Sequence, residues 1–323
     1  LNMNGSRLEV SVFIITAKRT ALTNIKSALK ASGVDMSTFV LNGYASAISV
    51  LDNQQKRFGT TVINMGATTT EFVCYKGNSL VYNGFIPVGS NHITNDLSVM
   101  LHTPPAAAEK IKTEYGSLTK DYTPNNDLGV TKVKIPRIGD EDTNSEVALD
   151  YIQTIIHARV EEVIVLVKNE LKKSGILDNV GSGVVITGGM SDLEGIKPLA
   201  EKVFEGIPIS VSSPRIIKNG LINFDDAGMS TVVGLLEFAL GKSRSYELDS
   251  SKQLIKPLNK ENKIENKTVN NASVRQNENE APSNEPKLES LEELRDSSDV
   301  LTPLKKDKKK GVSKFWSKIS EWF

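Results

Sequence analysis

Two short stretches carry residue types and spacings that could hold a phosphorylated ligand. In "VINMGATTTEF", residues 62–72, a strand pattern breaks at Gly66 into a small-residue turn and resumes as a second strand. Gly66 lets the backbone turn closely, and Ala67, Thr68, Thr69 and Thr70 offer successive amides and hydroxyls, the composition of an anion nest. In "VVITGGMSDLEGI", which starts at Val184, a buried-type strand ends in Thr187, Gly188 and Gly189, and a helix is expected soon after Asp192, a good N-cap. A diglycine at the end of a strand lets a flat ligand approach the backbone. Each stretch alone also fits an ordinary turn: the first a threonine-rich hairpin, the second a strand-to-helix connection.

The surrounding pattern supplies the elements that must position these turns. From Leu8 to Gly241 strand and helix signals alternate. "LEVSVFIITAK" (8–18) reads as a strand and "TALTNIKSALKASG" (20–33) as an amphipathic helix closed by Gly33. "FVLNGYASAISVL" reads as a short strand and a small-residue helix. "GTTVINMG", "TTTEFVCYKG" and "NSLVYNGFIPVG" read as three strands, the last two joined by a Lys76-Gly77-Asn78 turn. Two short helices follow over 91–116, separated at Pro104-Pro105. A long helix is expected over about 147–174, then the strand "GVVITGG", a helix over 193–204, a strand over 207–211 and a closing helix over 227–240. The whole is an α/β architecture.

Composition removes several function classes. Lys plus Arg equal Asp plus Glu at 39 each, so no basic field draws in nucleic acid. The single cysteine, Cys74, excludes an intrachain disulfide and fits a reducing compartment as a buried small hydrophobe. No apolar run reaches the roughly 18 residues of a membrane span.

The series "NMGATTTEF", "IPVGSNHITNDL", "TPPAAAEKIKTEYG", "HARVEEVIVLVKNEL" and "VVITGGMSDLEGI" resembles, in order and spacing, the second half of the actin-like (ribonuclease H-like) ATPase fold, and within it the bacterial cell-division FtsA family. The resemblance implies ATP and Mg2+ as cofactors. It matches Gly66, Ala67, Thr68 and Thr69 to the second phosphate-binding loop, and Glu109 and Lys112 to the helix that reaches ribose and adenine. Gly188, Gly189 and Met190 match the adenosine motif, with Met190 as an apolar lid. Glu109 and Lys112 also fit plain solvated helix charges. The resemblance further implies that the acidic C-terminal peptide of FtsZ docks on a small subdomain at about 113–175, where Arg159, Lys168, Lys172 and Lys173 offer cations. Arg159 is the first choice, with an internal salt bridge to Glu162 or a neighbour as its alternative.

The chain departs from that pattern twice. The family's first strand hairpin, whose phosphate loop carries an aspartate near the metal, has no match ahead of "GSRLEV", so the sequence is expected to hold half of a nucleotide site. Asn64 stands where the family has an acid. An amide takes no proton from water and gives a metal only a neutral oxygen, so binding is expected to outlast hydrolysis.

After Lys242 the composition changes. Residues 243–303, rich in Asn, Glu and Lys, are expected to be a disordered linker with a reach of about 40–45 Å. "KKDKKKGVSKFWSKISEWF" follows. At 100° per residue Val312, Phe315, Trp316, Ile319, Trp322 and Phe323 share an arc of about 120°, with Lys318 at its border, Lys314 beyond it and five lysines ahead of it. That pattern fits a helix lying in an anionic membrane surface; a protein groove is the alternative.

The expected organisation is a remnant of a first actin-like domain over 1–58, a second over 59–242, the linker, and an amphipathic membrane helix over 304–323. The expected function is that of an ATP-binding, self-associating protein that tethers FtsZ polymers to the cytoplasmic face of the inner membrane at the division site, beside other division proteins. A pilus-assembly or chaperone-type ATPase of the same fold is the alternative, and neither needs a terminal interfacial helix.

Overall fold

A computed structural model describes residues 7, 9, 12–119, 131–177, 180–214 and 225–241, with 140–144 described by their backbone alone. The linker and the terminal amphipathic segment lie outside the described residues.

The centre is a mixed five-stranded sheet in the order β3-β2-β1-β6-β7. β1 (Thr60–Met65), β2 (Thr70–Lys76) and β3 (Ser79–Ile86) form an antiparallel meander, while β1 pairs in parallel with β6 (Val184–Thr187), and β6 with β7 (Ile209–Val211). Parallel neighbours need a long crossover, and residues 66–183 supply it.

Side chains alternate across a strand, so each strand feeds two faces. Ile63, Met65, Phe72, Cys74, Val184 and Ile186 point into the larger apolar cluster. That cluster is covered by α4 (Ser90–Met100), α5 (Pro105–Tyr115), α6 (Leu149–Lys173) and α7 (Ile196–Phe204). The intervening Val62, Val73, Tyr75 and Val185 point the other way, onto α2 (Asn42–Val50). There α2 packs against α8 (Ser230–Ala239), with Tyr44 and Phe238 edge to face at 6.3 Å. Small residues permit this approach: a Cβ on Gly234 would sit 1.8 Å from the Ala45 carbonyl oxygen. Among the described residues no helix is long and apolar enough to cross a membrane.

Most expected elements are present, and the differences have physical causes. Residues 12–18 form no strand, for no described strand lies beside them to share a ladder, and Val12 and Ile14 are left 64% and 76% exposed. The amphipathic helix after them, α1 (Arg19–Ala31), buries none of its residues. No short strand precedes α2. α3 (Asn53–Phe58) was not expected; its signal is the Asp52–Gln55 capping box, in which Gln55 N donates to Asp52 at 2.7 Å. Nor was the hairpin of β4 (Lys132–Arg137) and β5 (Asp140–Ala148): β4 alternates, with Val133 and Ile135 buried between exposed lysines, but its partner β5 is almost wholly polar and shows no strand period. Asp192 does not cap a helix. It closes a 3-10 turn over Gly189–Asp192, the chain reverses at Gly195 in a left-handed conformation, and α7 begins only at Ile196.

Candidate functional site

β1 ends at Met65, and its continuation, Gly66–Thr69, closes on itself through Gly66 N donating to Thr69 O at 3.0 Å. The first turn of α4 then grips the same loop: Ser90 N donates to Gly66 O at 3.0 Å and Asn91 N to Ala67 O at 2.8 Å. Such contact requires a glycine at position 89, since a Cβ there would stand 2.5 Å from the Gly66 carbonyl oxygen. Thr70 Oγ1 donates to Val88 O at 2.9 Å and locks the hairpin from its other side. Ala67 and Thr68 stay exposed and Thr69 is half-buried.

The diglycine arrives beside this loop because β6 runs parallel to β1 with Thr187 opposite Asn64. Gly188 has φ 93°, and a Cβ on it would lie 2.5 Å from Asn64 Oδ1 and 2.6 Å from Met65 O. Only glycine fits there. Gly189 is exposed, with open space where a Cβ would stand. Met190, expected as an apolar lid, is instead 3% exposed in the larger cluster, because the 3-10 turn points its side chain down into the core.

Lys112 and Glu109 meet across one helical turn of α5. Lys112 Nζ donates to Glu109 Oε2 at 2.7 Å, to Thr94 Oγ1 at 3.0 Å and to Ser90 O at 3.3 Å. Through Ser90 the pair is tied to the residue that holds the loop. Lys112 is buried and committed to α4, so it is no freely solvated charge. Burial pushes the Glu109 carboxyl up, but hydrogen bonds from Lys112 and Thr94 and the ammonium's charge outweigh it and hold its pKa below the usual carboxylate value.

The face towards α2 and α8 carries a polar network, of whose strand residues sequence reasoning singled out only Asn64 and Thr187. Glu71, Asn64 and Thr187 stand directly opposite one another on β2, β1 and β6. Glu71 Oε1 accepts from Asn42 Nδ2 at 3.2 Å and Thr69 Oγ1 at 3.5 Å. Asn64 Nδ2 donates to Thr231 Oγ1 at 3.3 Å, which shares a hydrogen bond with Ser46 Oγ at 2.9 Å. The Thr187 and Ser230 hydroxyls lie 2.5 Å apart, and Ser49 Oγ donates to Ser230 O at 2.8 Å. The run of serines at 46 and 49 in a buried helix was the available signal. Asp192 and Asp226 flank the diglycine turn, and burial, helped by the charge of Asp226, pushes the Asp192 carboxyl up.

Three of the four cations expected to meet an acidic peptide are engaged within the chain. Arg159 forks onto Asp96 and also donates to Glu162, so the internal-salt-bridge alternative describes its state. Lys168 Nζ donates to Val203 O at 2.6 Å, Lys173 pairs with Glu170, and Lys172 is exposed.

The architecture matches solved structures of low sequence identity. MreB5 of Spiroplasma citri bound to ADP superposes with a TM-score of 0.55 at 16% identity, covering 70% of this chain and 67% of that one. MreB 5 of the same organism bound to AMPPNP gives 0.53 at 16%, over 69% and 65%. The fold is thus of the actin-like class.

Within that class the particular assignment comes from sequence. The family model for Cell division protein FtsA matches residues 61–234, more than half of the chain, and the chain belongs to that family. Cell division protein FtsA of Helicobacter pylori (strain ATCC 700392 / 26695) is 36% identical over 254 residues, which is 77% of this chain and 51% of the relative. That of Neisseria meningitidis serogroup B (strain MC58) is 34% identical over 240 residues, 74% and 56% respectively. The chain therefore spans about half the length of the curated relatives it matches.

Proposed function

We propose that this protein acts in division as an ATP-binding actin-like body that associates with copies of itself and holds FtsZ polymers to the cytoplasmic face of the inner membrane. The observation that supports the nucleotide part is the meeting of two turns and the Glu109–Lys112 pair of α5 at one end of the sheet. The Gly66–Thr69 amides and hydroxyls would hold phosphates, the open backbone at Gly188 and Gly189 would take the base, and Glu109 with Lys112 would face the ribose side. Mg2+ would be carried mainly by phosphates and water, since Asn64 offers only a neutral oxygen and no group of three acidic, His or Cys side chains converges among the described residues. On this reading the organisation is a first-domain remnant over 1–58, a second domain over 59–242, a linker, and a membrane helix over 304–323.

The tether rests on the aromatic arc of Val312, Phe315, Trp316, Ile319, Trp322 and Phe323 beside Lys314 and Lys318. Flotation of FtsZ polymers with anionic vesicles tests it. The chain should carry FtsZ to the vesicles. Trp316→Glu, in the middle of the arc, should abolish recruitment, and Ser317→Glu, 100° away, should weaken it only modestly. Equal behaviour of the two variants would overturn the membrane reading in favour of a protein groove.

A further inference from the structure

We propose that Glu71 is a positioning residue that changes partners when an anion enters the Gly66–Thr69 turn, and that this exchange reports occupancy of the turn to α2. The inference rests on the phosphate site proposed above. It starts from a mismatch between two neighbouring groups. Glu71 Oε2 is buried and has no hydrogen-bond partner. Next to it, α2 begins with no side-chain cap at Leu41 and no acidic residue in its first turn. The two are adjacent: a Cβ on Gly43 would lie 3.6 Å from Glu71 Cβ and 3.7 Å from Oε2. A carboxylate and an uncapped helix N-terminus are complementary, for the first-turn amides seek an acceptor and the helix dipole favours negative charge.

What keeps them from pairing is the other carboxylate oxygen. Oε1 is held by Asn42 Nδ2 at 3.2 Å and by Thr69 Oγ1 at 3.5 Å. The threonine contact is the longer of the two and the one that belongs to the loop. A hydroxyl has one proton to give. A phosphate oxygen in the turn is a stronger acceptor for the Thr69 proton than a carboxylate at the limit of hydrogen-bond distance. Once Thr69 turns to the ligand, Glu71 is free to swing its carboxylate onto the amides of Asn42 and Gly43. One carboxylate oxygen is thus unsatisfied beside a helix start without a side-chain cap, and the exchange would satisfy both. The change would pass to α8, because Ser46 and Ser49 of α2 are bonded to Thr231 and Ser230.

Hydrogen exchange on the full chain, with and without millimolar ATP and Mg2+, tests this. In the unsubstituted protein ATP should slow exchange both in the loop, 66–70, and in the first turn of α2, 42–47, the latter by roughly tenfold. In Glu71→Ala the loop should still respond and α2 should not. Thr69→Val, which removes the restraining contact and keeps the side chain's shape, should show slow exchange in α2 without any ATP. This variant carries the test if Glu71→Ala does not fold. The switch is overturned if α2 responds equally in Glu71→Ala, or if Thr69→Val leaves unliganded α2 unchanged. If the loop itself shows no response to ATP in the unsubstituted protein, the phosphate site falls and the switch falls with it.

Discussion

Arg159 of α6 grips Asp96 of α4 through two hydrogen bonds, Nε to Oδ2 at 2.6 Å and Nη2 to Oδ1 at 2.9 Å, and a third bond runs from Nη1 to Glu162. Both side chains are mostly shielded, at 25% and 21% exposure, so the planar fork is worth more here than on an open surface. It fastens the helix that starts at the loop, α4, to the longest helix in the core.

Arg159→Glu should therefore destabilise the fold by about 2–4 kcal/mol, since it leaves Asp96 uncompensated and adds a like charge. Urea melts of Arg159→Glu, Asp96→Arg and the charge-swapped double variant measure it. Recovery of part of the loss in the double variant is the expected signature of a direct pair, and additive losses would deny one.

ATP turnover should be slow, because the amide of Asn64 is committed to Thr231 and carries no titratable oxygen. A rate near the roughly 10 per second of typical enzymes would contradict this. Asn64→Asp places an acid next to Gly188 and should raise any measurable rate. An unchanged rate in that variant would show that position 64 does not limit turnover.

Asp192 makes a pH-dependent contribution of known sign. Its pKa is raised in the folded state, by burial first and by the Asp226 charge second, above the reference value of 3.8. The native state therefore holds its proton more tightly than the unfolded state. Stability from this group is fully present below pH 3.8 and is lost as pH rises through the folded pKa. Asp192→Asn should raise Tm at pH 7 and leave it little changed near pH 3, and Tm measured across that range checks the difference. Glu109 acts oppositely: its lowered pKa gives stability at neutral pH that fades as the carboxyl protonates.

Cys74 is 1% exposed, and burial pushes its thiol up to about 11 against the lowering effect of Thr61. Thiolate is the reactive form. Labelling by a disulfide reagent at pH 8 should be negligible in the native protein and rise with denaturant along the unfolding curve. Prompt stoichiometric labelling of folded protein would show that β2 opens locally.

Much of the site was legible because its signals are local. The Gly66–Thr69 turn, the diglycine after β6, the Pro105 start of α5 and the length of α6 each depend on residues a few positions apart, and the structure shows each of these elements. The hairpin β4–β5 was harder to read: Val133 and Ile135 give β4 a short alternation, but polar residues on both faces of β5 erase the period of the partner it needs.

The sequence by itself determined the α/β order, the two ligand-type turns, the amide at position 64 and the aromatic spacing of the last residues. Tertiary structure decided the rest, because partner choice is a property of distance in space. It buried Met190 in the core, bound Arg159 to a residue 63 positions away, and left residues 12–18 without a ladder despite their strand pattern. It also set Glu71, Asn64 and Thr187 side by side across three strands and brought Asn42 to them. Register and helix packing place those residues together, and no periodicity within one segment encodes a neighbour that arrives from another.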